Sequence, residues 1–136
     1  MTPTATSSLF DSVPDDYMMF GRGESFNVEA FEKTLGLTKE DIPRVVGMSA
    51  KIDDAIPQQM RERIEEIANT MNMVAMAFNG DVGKAVTWFK VSNPLLGDVC
   101  PRDMIRLGRY ERLRKFIVNA MIERRPAMRA APLQPA

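Results

Sequence analysis

The chain has 136 residues, 45% apolar and 26% charged, which fits one ordinary domain or two very small ones and excludes wholesale disorder. Its 18 Lys and Arg balance 18 Asp and Glu, so net charge alone announces no nucleic-acid partner. One cysteine and no histidine exclude an internal disulfide framework, a Cys/His zinc site and any mechanism built on an imidazole base.

Residues 1–26 mix Ser, Thr, Pro, Asp and Gly without a helical period and read as a flexible arm, with Phe10, Tyr17, Met18, Met19 and Phe20 available for docking. The first residues carry neither the basic charge nor the apolar stretch of a secretory signal. No apolar run reaches the length of a membrane span, so a reducing cytoplasm is the expected setting.

Residues 27–80 read as a helix-turn-helix-like region with a long connecting helix. Asn27 is an N-cap for a first helix that Gly36 stops. Thr38 opens a second, with Asp41 at a variant capping-box position and Pro43 in the early turns, and Gly47 ends it. Ser49 caps a short third segment, AKIDDAI. Short helices joined by a tight Gly-containing turn give a helix-turn-helix outline, whose candidate DNA contacts are Lys39, Arg44, Ser49 and Lys51. The third segment carries one Lys against two Asp, so it neutralises phosphate poorly by itself.

From Pro57 to Phe78, Met60, Ile64, Ile67, Met71, Val74, Ala75 and Phe78 recur at spacings of three and four and predict a long amphipathic helix. Glu62, Glu65, Glu66, Asn69 and Asn72 fill the opposite face, which Met73 and Met76 interrupt. That mixture predicts burial on two sides. Met71, Val74 and Phe78 belong to the core, and Met73 and Met76 face a second chain or a neighbouring helix, which leads to a homodimer within a larger hetero-oligomer.

Residues 81–124 form the last helical module. Asp81 caps a helix that carries Ala85, Trp88 and Phe89 and ends at Lys90. The stretch VSNPLLGDVCP reads as a turn, Pro101 leads a short helix that Gly108 stops, and a final helix spans about Arg109 to Arg124. Its inner stripe is Tyr110, Leu113, Ile117, Ala120 and Met121. Residues 125–136, rich in Pro and Ala, read as a mobile tail. No period of two persists, so the chain is all-α: an N-terminal helix-turn-helix bundle, a long helix and a small C-terminal helical module, about six helices in total.

The balanced charge conceals a division. Residues 1–80 carry seven Lys/Arg against thirteen Asp/Glu, a net −6, whereas residues 81–136 carry eleven against five, a net +6. The basic part either meets an acidic partner or is neutralised by the rest of the chain. Enzymatic candidates are thin. The pairs Asp15-Asp16, Asp53-Asp54 and Glu65-Glu66 are sequence neighbours that diverge by about 100° on a helix, and they read as solvated acids. Cys100 has no base to activate it, and the GRG at 21–23 has neither the strand nor the lysine of a phosphate loop. No catalytic residue, metal site or cofactor is expected.

The run from Lys84 to Ile117 resembles the Xre/MbcA/ParS toxin-binding domain of bacterial antitoxins. The resemblance is carried, in order, by Ala85, Trp88, Phe89, Asn93, Pro94, Leu96, Gly97, Pro101, Ile105, Gly108, Tyr110 and Leu113. It covers roughly a quarter of the chain, and the family places an Xre-like helix-turn-helix upstream, in agreement with residues 28–56. Two features depart from the pattern: Cys100 stands where Thr or Ser usually caps the short helix, and the recognition segment is acidic. The resemblance implies an antitoxin that binds a cognate toxin, most often a RES-domain protein that consumes NAD, and blocks its active site, with operator DNA as a further partner. On that basis the expected toxin contacts are Trp88, Asn93, Arg102, Arg106, Arg109, Tyr110, Arg112, Arg124 and Arg125. The alternatives are an Xre-like transcriptional regulator acting chiefly on DNA, and an adaptor that uses the module for another client.

Overall fold

Local capping chemistry starts the first two helices in the computed structural model, which describes residues 14–47 and 57–123. Asn27 accepts a hydrogen bond from the Ala30 amide at 3.0 Å and starts α1, Val28–Leu35, whose Phe31 and Leu35 lie four apart on the buried face. The Asp41 carboxylate accepts the Thr38 amide at 2.9 Å, and a 3-10 turn over Lys39–Asp41 feeds α2, Ile42–Val46. Pro43 sits in the first turn of α2, where no intrahelical amide bond is lost. Ile42, Val45 and Val46 are its buried side chains. The third segment expected at 49–56, with Ser49 and Lys51, lies outside the described residues.

The long helix is α3, Gln58–Ala77, and it organises the rest. It packs against α1, α2, α4 (Val82–Lys90) and α6 (Tyr110–Glu123). The short α5, Pro101–Arg106, packs against α2, α4 and α6, and α1 also touches α4. Asp81 caps α4 by accepting the Lys84 amide at 3.1 Å, as its position predicts. Among the described residues there is no strand, only an isolated bridge between Asn93 and Val99. Buried side chains from Phe20 through Phe78 and from Ala85 through Ala120 form one cluster. The turn at 79–81 therefore joins two segments of a shared core. No helix among the described residues is long and apolar enough to cross a membrane.

Two places differ from expectation. Residues 14–26, expected as part of an arm, are packed. Phe20 is 2% exposed and lies edge-on to Phe26 and Phe31, with ring centroids 6.3 and 6.0 Å away. The Asp16 carboxylate accepts the Phe20 and Gly21 amides at 3.1 and 2.9 Å and the Asn72 side-chain amide at 3.3 Å. Asn72 in turn accepts the Met18 amide at 2.8 Å. An irregular segment with one 3-10 turn, Gly23–Ser25, has no period to detect, yet its aromatic area suffices to hold it down.

The second difference is on α3. Asn72, expected on a polar face, is 1% exposed, and residues 70–75 are buried all round the helix. Met73, also 1% exposed, is covered within a single chain, so its burial requires no second copy; Met76 stays 38% exposed.

Candidate functional site

The basic residues of α5 and α6 begin at Cys100, which offers no side-chain cap to α5. Asp103, in the first turn of α5, collects the charges there: Arg106 lies 3.1 Å from its carboxylate and Arg102 Nε 3.5 Å. Partial burial works to raise the Asp103 carboxyl, but hydrogen bonds from Arg106 and the Cys100 thiol, with the two guanidinium charges, bring it below the ordinary carboxylate range. Arg102 also reaches across to α1, where its Nη1 is 3.5 Å from the Leu35 carbonyl. Arg102 and Arg106 are thus partly occupied.

Arg109 and Arg112 are not. Both are exposed, and with Lys115 they form no ion pair among the described residues. Glu111, their neighbour in sequence, is committed to the other side of α6, where it lies 2.7 Å from Arg63 and 3.1 Å from Arg114. The Arg63 hydrogen bond holds the Glu111 carboxyl below its usual value.

A second element extends this charge. Gly108, between α5 and α6, lies directly on the backbone of Arg44 in α2. A Cβ built at Gly108 falls 2.6 Å from the Arg44 carbonyl oxygen and 3.7 Å from its Cγ. Arg44 is exposed, and its backbone lies against the turn between Arg106 and Arg109. Lys39 has different surroundings. It attracts the Glu32 carboxylate, whose proton affinity is raised first by burial and then by the neighbouring charges of Glu29 and Glu40. Of the four expected DNA contacts, then, Lys39 lies within reach of the Glu32 charge, Arg44 lies against the turn between α5 and α6, and Ser49 and Lys51 lie outside the described residues.

Three expected toxin contacts lie inside the chain. Trp88, Asn93 and Tyr110 are 4%, 3% and 1% exposed. Trp88 packs edge-on to Phe89 at 5.1 Å and stacks on Phe116 of α6 at 6.4 Å. Asn93 organises the turn before α5, accepting the Leu95 amide at 2.9 Å through its side chain and pairing with Val99 through its backbone. The Tyr110 hydroxyl meets that of Thr70 at 2.5 Å, and the Arg63 guanidinium lies 5.0 Å from its ring centroid. These residues set the shape of the module. Arg124 and Arg125 lie outside the described residues.

Burial pushes the Tyr110 hydroxyl up to about 12. Below about pH 10 the phenol is protonated in folded and unfolded chains alike, and its contribution is intact. Between about pH 10 and 12 only the unfolded chain ionises, so stability falls by about 2–3 kcal/mol from this group. Ultraviolet titration of the folded protein is expected to show one phenol ionising near the top of that window, and Tyr110→Phe to remove that transition.

No protein-family model, curated protein or solved structure matches the chain. The site therefore rests on its own geometry. Among the described residues no group of three or more Cys, Asp and Glu is arranged to hold a metal ion. A surface cleft of about 400 Å³ lies between Gly23, Glu24 and the first half of α3. Its polar groups are engaged in fastening the N-terminal segment: Glu65 accepts the Gly23 amide at 3.0 Å, and Arg61 donates to the Gly23 and Phe26 carbonyls at 3.2 Å. Two of the paired acids also prove structural, since Asp16 caps the 20–21 turn and Glu66 pairs with Arg63. Sequence reasoning missed the Arg44–Gly108 contact, for which no local signal exists.

Proposed function

We propose that this chain is the antitoxin of a type II toxin–antitoxin pair, neutralising its toxin by stoichiometric binding. The identity of the partner comes from the resemblance of residues 84–117, which points to a RES-domain toxin. The observation that carries the binding surface is the exposed pair Arg109 and Arg112 at the start of α6, which form no ion pair among the described residues and follow the turn that Arg44 packs against. Like charges held this close repel one another, and an acidic protein surface relieves that cost while steering encounter. Trp88, Asn93 and Tyr110 hold the module in shape, and Arg124 and Arg125 lead toward the toxin's cleft. Binding to operator DNA and assembly as a homodimer within the complex belong to the same reading, with an Xre-like arrangement of the first helices.

The test is co-expression with the product of the adjacent open reading frame, followed by pull-down and mass measurement. The double reversal Arg109→Glu, Arg112→Glu is expected to weaken the complex roughly a hundredfold and to restore toxin activity. A complex of unchanged affinity, with the variant folded, moves the docking surface elsewhere.

A further inference from the structure

Resting on that reading, we infer that Arg44 belongs to the partner-docking surface, which therefore spans α2 as well as α5 and α6. Three observations place it there. Gly108 lies against the Arg44 backbone, so close that a Cβ there falls 2.6 Å from the carbonyl oxygen, and this seats the exposed Arg44 against the turn that leads into Arg109 and α6. Asp103, the acid of α5, is already shared by Arg102 and Arg106 and has little charge left for Arg44 or Arg109. Lys39, another cation of the same helix-turn-helix region, acts on the Glu32 carboxylate, which Glu29 and Glu40 also neighbour, so its surroundings are acidic.

A nucleic-acid surface built from Lys39 and Arg44 together is thus divided. The phosphate backbone rewards a continuous run of uncompensated cations, and the carboxylates around Lys39 interrupt it. An acidic protein patch is more restricted in extent and fits a compact group of guanidiniums, each able to bind a carboxylate through two parallel hydrogen bonds. The partner that fits is an acidic protein surface wide enough to reach from α6 across the turn to α2. Arg44 then determines specificity at the edge of the interface.

The experiment compares Arg44→Glu, Arg44→Ala and Lys39→Glu in the full chain co-expressed with the product of the adjacent reading frame. Circular dichroism is read in parallel, and retention of a 30-base-pair duplex is measured separately. Arg44→Glu is expected to weaken the protein complex about tenfold, Arg44→Ala to weaken it less, and Lys39→Glu to leave it within about twofold of the parent. Equal affinity of Arg44→Glu and parent overturns the inference while leaving the docking reading intact. Loss of duplex retention by Arg44→Glu with an unchanged protein complex also overturns it and assigns Arg44 to DNA. Absence of any complex with the parent chain removes the docking reading, and this inference with it.

Discussion

Trp88→Ala is expected to lower stability by about 3–5 kcal/mol, and Trp88→Phe by less than about 2 kcal/mol. The indole is 4% exposed, edge-on to Phe89 and stacked on Phe116, so truncation to Ala leaves a cavity between α4 and α6. Among the described residues the Nε1–H has no hydrogen-bond partner, and it is shut away from solvent. A buried donor left unsatisfied works against folding, so Phe keeps one ring of packing and removes that donor. Urea unfolding of the two variants separates the terms. Equal losses for Phe and Ala show that the indole edge makes a contribution that packing alone does not explain. The effect on binding follows from geometry. Phe116 lies one helical turn beyond Arg112, so loosening the Trp88–Phe116 stack also loosens the presentation of Arg112.

The parts of the fold that were legible are those fixed by neighbours in sequence. Asn27, Thr38 with Asp41, and Asp81 act on amides three residues away, so spacing alone locates the helix starts. The stripe of α3 was equally clear, because Met60, Ile64, Ile67, Met71 and Val74 repeat with the helix and all reach the core. Asn72 was misread for a physical reason. An amide on an apolar helix looks solvent-facing until a distant segment satisfies it, and here the satisfying groups are Asp16 and Met18. Tyr110 was placed correctly inside, but sequence does not show what its hydroxyl and ring meet within the chain, which are Thr70 and Arg63.

The basic surface shows the same limit from the other direction. The excess of charge in residues 81–136 was visible by counting, and so were Arg109 and Arg112. Counting does not tell which cations are consumed. Arg63 and Arg114 divide Glu111, Arg102 and Arg106 divide Asp103, and among the described residues Arg109 and Arg112 are left over. The helix-turn-helix outline drew Lys39 and Arg44 into one group because they are close in sequence, and it gave no sign that α2 packs on α5 with Arg44 against Gly108.

Gly108→Ala is expected to lower stability by about 2–4 kcal/mol. Gly108 has φ +79°, a left-handed conformation that costs an ordinary side chain roughly 1–2 kcal/mol. The added Cβ also meets the Arg44 carbonyl oxygen at 2.6 Å, a backbone atom that no rotamer change moves aside. Gly97→Ala is the control, because Gly97 has φ +82° with nothing within 4 Å of the added methyl, so it isolates the conformational part. The difference between the two melting temperatures then measures the clash alone. Equal losses at the two positions show that α2 yields freely and that Arg44 is not seated against the turn. If the Gly108 variant is the more damaged, relief comes by parting α2 from the α5–α6 turn, which carries Arg44 away from Arg109 and Arg112. Partner affinity of the Gly108 variant, measured well below its melting temperature, should then fall, whereas the Gly97 variant should retain it.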